Sequence, residues 1–224
     1  MRVAIHQPNY APWCGYFAKL AAADLFIFLD DVQLPLGRSF VSRTRIQGPA
    51  GPRWLSIPVA RQSHQSILEA RFAQPRSWPR KHLGALRTSY ARTSYFREVW
   101  DLLEPLYEAP GYSLALFNQR LIETVARYLG LDQPIMRAGD LNVLGHAGER
   151  LIALVLAVGG DVYLSGPGGV RYQNPAQFAT AGVRLEIKAY EPVAYEWGSS
   201  ELSILHALFH LGRASRQLLT YKAQ

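Results

Sequence analysis

The chain has a single cysteine, Cys14. That scarcity excludes an internal disulfide framework and any zinc site built on Cys ligands. A lone thiol a few residues from His6 invites a nucleophile reading. A buried Cys, however, ordinarily behaves as a small hydrophobe, and that is the reading taken here. No apolar run approaches the about 20 residues needed to cross a bilayer. The N-terminus also lacks the pattern of a signal peptide, because Met1 leads directly into an apolar strand. These absences set the expectation of a cytoplasmic protein that does not engage a membrane. Internal repeats, low-complexity segments, compact polybasic runs and known nucleic-acid motifs are also missing.

What the chain does have is apolar residues at 49% against 18% charged, the balance of an ordered globular protein. Its 224 residues suffice for one α/β domain spanning 1–224. A net charge of +7 and a pI near 9.7 favour anionic partners such as nucleotide phosphates, nucleotide sugars or RNA. The arginines are scattered over residues 38–97 and 213–216, so a solvated surface accounts for most of them.

The densest information lies in Val3-Ala4-Ile5-His6-Gln7-Pro8-Asn9-Tyr10 and Asp30-Asp31-Val32-Gln33. Each is an apolar run that breaks at once into polar residues. Residues 11–23 space their apolar positions as a helix does, so the whole reads as strand–helix–strand. Its polar groups sit at the carboxyl ends of both strands, where open α/β sheets bind ligands. Further along, strands are expected at residues 54–59, 66–72, 135–137, 162–164 and 184–190. Helices are expected at 81–90, 97–108, 113–129, 148–158, 175–181 and 199–211, the last capped by Ser199 or Ser200. Alternation of this kind predicts an α/β fold: a mostly parallel, Rossmann-like sheet flanked by helices. Residues 75–130 form a helical insertion or cap between the two halves of the sheet.

Candidate site residues follow from that layout. His6, directly after the first strand, suits a general base, a phosphate donor or an oxyanion stabiliser. Gln7, Asn9, Tyr10 and Gln33 are neutral donors and acceptors for a sugar hydroxyl, an amide or a base edge. Asp30 and Asp31 point to opposite faces of their strand, so one can serve as a base while the other caps a turn. Alternation puts Arg43 and Arg45 on one face, as a phosphate or carboxylate clamp would require. The loop Ser165-Gly166-Pro167-Gly168-Gly169 follows a strand, and its glycines permit close backbone approach to a ligand. Tyr172 behind it offers a ring to stack on. His206 and His210 have i,i+4 spacing but no third ligand, so no metal is assigned. Nothing in the chain names a cofactor.

Four blocks carry a family resemblance: residues 6–19, residues 30–33, Trp54-Leu55-Ser56-Ile57-Pro58-Val59, and Leu164-Ser165-Gly166-Pro167-Gly168-Gly169. In this order they resemble the WbqC-like proteins over nearly the whole chain. The resemblance implies a role in O-antigen-like glycan or secondary-metabolite biosynthesis, without implying a particular reaction. In that family the place of Cys14 usually holds an aliphatic residue. Val41-Ser42 stands where a Gln-Asn pair is usual.

The leading functional expectation is a group-transfer enzyme acting on a nucleotide-linked or other anionic small molecule, such as a nucleotide sugar. One alternative is an aminoacyl or acyl transferase using a tRNA or a carrier protein as donor. Another is a non-catalytic binding or scaffold protein of a biosynthetic pathway.

Overall fold

A computed structural model describes residues 1–221, leaving the side chains of Arg171 and Tyr172 outside the described residues. The chain opens with β1 (Arg2–His6), α1 (Cys14–Ala21) and β2 (Leu25–Phe28). Two antiparallel pairs follow: β3 (Arg43–Gly48) with β4 (Gly51–Ser56), and β5 (Val59–Ala60) with β6 (Arg71–Phe72). Three helices come next: α2 (Trp78–Tyr90), α3 (Phe96–Glu108) and α4 (Leu114–Tyr128). The second half runs β7 (Ile135–Arg137), α5 (Ala147–Ala157), β8 (Val162–Ser165), α6 (Pro175–Thr180) and β9 (Arg184–Ile187). A small hairpin of β10 (Ala194–Tyr195) and β11 (Gly198–Ser199) leads into α7 (Ile204–Leu211).

The central sheet has five strands in the order β7-β2-β1-β8-β9, all parallel. This is the expected α/β, Rossmann-like arrangement. The chain moves outward from β1 through β2 to β7, then crosses back to place β8 on the other side of β1. That reversal opens a crevice at the carboxyl ends of β1 and β8, the switch point at which doubly wound sheets take their ligands.

Alternation along the strands sorts the core into two layers. Ala4, Phe26, Phe28 and Leu164 join α1, α2, α3, α4 and α7 through buried residues such as Phe17, Leu86, Leu103, Phe117 and Leu208. Val3, Ile5, Leu25, Ile27 and Tyr163 face the other way, onto Ile152, Leu154 and Val155 of α5 and Phe178 of α6. Helices α2–α4 fall where the insertion was expected, between β2 and β7 in the chain.

Several expected elements change: the strand expected at 54–59 divides into β4 and β5 around Ile57-Pro58, and the one expected at 184–190 ends at Ile187. α1 starts at Cys14 instead of residue 11, because Pro12 disfavours a helical Ala11. Ala11 adopts φ +38°, its carbonyl accepting from Thr44 Oγ1 and Ser203 Oγ, both at 2.8 Å. α7 starts at Ile204 with Ser203 as its cap, its Oγ accepting from Leu205 N. The candidates Ser199 and Ser200 are used elsewhere: Ser199 pairs with Ala194 in the hairpin, and Ser200 Oγ accepts from Val193 N at 2.7 Å. The expected strand at 66–72 shrinks to Arg71–Phe72, because Ile67 N and Leu68 N donate instead to Val32 O and Asp30 O.

Candidate functional site

A cavity of about 390 Å3 occupies the β1/β8 crevice. Ile5, His6 and Gln7 enter it from the end of β1, and Tyr163, Ser165, Gly166, Gly168 and Gly169 from β8 and its loop. Gly15, Tyr16 and Lys19 of α1 form one wall. Trp13, Leu29, Leu151, Tyr190 and Tyr221 make it largely apolar and aromatic. Its size lies within the about 300–1,000 Å3 usual for small-molecule sites. Among the described residues no Asp or Glu lines it; the charged side chains there are Lys19 and Lys188, the latter paired with Glu186 at 3.3 Å.

Lys19 is the residue that sequence reasoning missed. It lies on the buried side of α1, only 6% exposed, and its Nζ donates to Ile5 O at 2.8 Å. Among the described residues it has no carboxylate partner, and the Tyr163 ring lies 5.9 Å away. Burial pulls its pKa from 10.5 down to about 7. A buried ammonium without a counter-charge is costly unless a ligand supplies one. The available signal was a lysine inside an otherwise apolar helix, Phe17-Ala18-Lys19-Leu20.

The His6 ring packs against Tyr16 with centroids 4.7 Å apart, and its Nδ1 lies 3.1 Å from Gln7 O. A carbonyl only accepts, so Nδ1 carries the proton and Nε2 keeps its lone pair. Burial, then the neighbouring Lys19 charge, drives the His6 pKa down to about 3, against the raising effect of the Gln7 carbonyl. His6 is therefore neutral near pH 7. Tyr16 fixes the turn by donating to Gln7 O at 3.1 Å.

On the β8 side, Gln173 Nε2 donates to Ser165 Oγ at 2.8 Å, and Gln173 Oε1 is buried without a partner. A Cβ on Gly169 would crowd Gln173 Nε2 and meet Ser165 Oγ at 2.7 Å, so a larger residue there would push both side chains aside. Trp13 reaches the wall by folding over Gly15, where a Cβ would meet its ring at 2.6 Å. Its indole meets Tyr190 edge-on at 5.2 Å.

The expected grouping thus divides. His6, Gln7, Ser165, Gly166, Gly168 and Gly169 share the cavity. The expectation that an aspartate joins them is corrected, because both are drawn toward helices. Asp30 is fully buried, with Oδ2 accepting from Gln119 Nε2 of α4 at 2.8 Å and Oδ1 from Gly139 N at 3.1 Å. Asp31 turns to the opposite side and pairs with Arg150 of α5.

Tyr10 also leaves the cavity. Its hydroxyl lies 2.7 Å from both His82 Nδ1 of α2 and Tyr107 of α3. Asn9 is buried, and the preceding Pro8 carbonyl accepts from Asn118 of α4 at 2.8 Å. Gln33 is exposed and bridges Ser66. Arg43 and Arg45 do share a face of β3, but they stack over Trp54 at 4.1 and 6.0 Å and do not line the cavity. The Tyr172 side chain lies outside the described residues. Cys14 is buried, its thiol pushed up to about 12, as a small hydrophobe.

No group of three or more His, Cys, Asp or Glu able to hold a metal is found among the described residues. No helix among them is long and apolar enough to cross a membrane.

Residues 7–218 match the WbqC-like protein family, a span that includes the crevice loops, α1 and the helical insertion. The chain belongs to the WbqC-like protein family. A relative from Mycobacterium tuberculosis, described as an uncharacterized protein, is 32% identical over 231 residues, covering 100% of this chain and 99% of that protein. No solved structure matches. This WbqC-like protein therefore carries the cavity at the switch point of its sheet, lined among the described residues by two lysines and no carboxylate.

Proposed function

We propose that the β1/β8 cavity binds an anionic small molecule and that the protein is a group-transfer enzyme of glycan or natural-product biosynthesis. One observation carries the reading: Lys19 is buried in the wall of a cavity whose lining, among the described residues, contains no carboxylate. The aromatic wall of Trp13, Tyr190 and Tyr221 would suit a planar base, and Lys19 with the Ser165–Gly169 backbone would suit phosphate oxygens. A nucleotide-linked donor is the ligand class that combines both. His6 Nε2 would accept the proton released by an attacking hydroxyl or amine. The incoming anion itself favours the protonated forms of His6 and Lys19, raising both pKa values.

A ligand-induced thermal shift with nucleotide sugars, free nucleoside diphosphates and pyrophosphate tests the binding step. At ligand about 100 times Kd, stabilisation of about 2.7 kcal/mol is expected. No shift with any anion at millimolar concentration would refute the reading. Once a substrate is found, His6→Asn should lower turnover about 100- to 10,000-fold with little change in melting temperature.

A second reading, aminoacyl or acyl transfer from a tRNA- or carrier-bound donor, is favoured by the composition of residues 70–97. That stretch contains Arg71, Arg76, Arg80, Lys81, Arg87, Arg92 and Arg97 and neither Asp nor Glu.

A further inference from the structure

We infer that the outer face of α2 is a docking surface for the phosphate backbone of a nucleic acid, with RNA as the partner. α2 buries Trp78, His82, Ala85, Leu86 and Tyr90 on one side. The opposite side presents Arg80, Lys81, Gly84, Arg87 and Thr88, all exposed, with Arg76 just before the helix and Arg92 just after it. Helical spacing of three to four residues puts positions 80, 84, 87 and 88 in one stripe. Among the described residues Arg76, Arg80, Lys81, Arg87 and Arg92 form no ion pair, whereas Arg97 at the end of the acid-free stretch is paired with Asp101.

Gly84 is the second observation. It sits at the centre of the stripe, and a Cβ there would meet nothing within 4 Å. Packing does not require a glycine, and an exposed helix interior normally disfavours one. Its effect is to leave bare backbone between Arg80 and Arg87, where a sugar-phosphate chain can come close. At the amino end of α2, Arg76 and Arg80 border a hollow of about 770 Å3 that also holds Tyr112, 74% exposed, and, among the described residues, a single carboxylate, Glu108. An exposed ring beside guanidinium groups is the usual platform for stacking an unpaired base.

Two features favour phosphate over an acidic protein partner. The charge is almost all arginine, whose planar fork fits phosphate oxygens in pairs. The exposed face of α2 also carries no large apolar side chain, so it lacks the anchor on which protein interfaces centre. This inference does not depend on the cavity. A carrier-bound donor would connect the two sites, but each can fail alone.

The test is fluorescence anisotropy of the full chain with labelled unfractionated tRNA, titrated at several KCl concentrations. With four or five phosphates contacted, log Kd against log salt should have a slope of roughly 3 to 4. The double variant R80Q/R87Q should weaken binding about tenfold and make that slope shallower by roughly 1 to 2. A control double variant away from the stripe, R38Q/R184Q, should change neither, and melting curves would show that all three proteins fold. Equal losses in both double variants would mean that only net charge matters. Equal retention of polyglutamate and tRNA would point to an acidic protein partner. Either result, or no tRNA binding at 50 mM salt, would overturn the inference.

Discussion

Lys19 and Asp30 are both buried ionisable side chains near the carboxyl edge of the same sheet, yet they are treated in opposite ways. Asp30 receives hydrogen bonds on both oxygens, from Gln119 and from Gly139. Among the described residues Lys19 donates only to the Ile5 carbonyl and faces a cavity with no carboxylate in its lining. A satisfied buried ion holds structure together, whereas an unsatisfied one in a cavity awaits something from outside. The same division runs through the polar motif after β1. His6 and Gln7 turn to the cavity, while Pro8 and Tyr10 fasten the helices α2–α4 to the sheet edge.

The largest expected effect lies on the structural side. Asp30→Ala leaves the Gln119 amide and the Gly139 N–H without acceptors, at about 1–3 kcal/mol each. Urea denaturation should show a loss of about 2–5 kcal/mol, and a loss below about 0.5 kcal/mol would end the structural assignment. Tyr10→Phe breaks the contacts with His82 and Tyr107 and should cost about 1–3 kcal/mol by the same measurement. In neither variant is the lining of the cavity changed.

Lys19→Met should act in the other direction, stabilising the empty protein near pH 7 by at least about 1 kcal/mol. The sign follows from the lowered pKa. Between about 7 and 10.5 the unfolded chain holds a proton that the folded chain has released. Stability of the parent therefore rises with pH through that window, and the advantage of the Met variant should narrow toward pH 10. A Met variant less stable than the parent at pH 7 would place Lys19 with Asp30 as a structural ion. The smallest effect is that of Gly84→Ala, expected to add about 0.5–1 kcal/mol of stability and to leave small-molecule binding unchanged.

Much of the sheet was legible because its strands are short apolar runs ending abruptly in polar residues. β1, β2 and β8 came from that pattern, and their parallel pairing came from the intervening helices. The gathering of His6 and the Ser165–Gly169 loop around one cavity was legible for the same reason, because parallel strands bring them to one edge. The assignment of Asp30, Asp31 and Tyr10 to that edge was not decidable locally. Their direction is set by Gln119, Arg150, His82 and Tyr107, which lie 72 to 119 residues away in sequence. Lys19 stayed hidden because helix periodicity does not reveal which face of α1 borders an empty space. The shift of the α7 cap from Ser199 or Ser200 to Ser203 has a similar origin. Three serines offer equivalent local chemistry, and the β10–β11 hairpin uses two of them.

The account's central claim is that Lys19 waits for an anion. Isothermal titration of the parent and Lys19→Met with a panel of nucleoside diphosphates, at pH 7 and pH 9, tests it most directly. At least one diphosphate should bind the parent at pH 7, weaken at pH 9 as the amine loses its proton, and bind the Met variant at least about tenfold more weakly, a difference of about 1.4 kcal/mol. Equal affinity of both proteins at both pH values would contradict the claim.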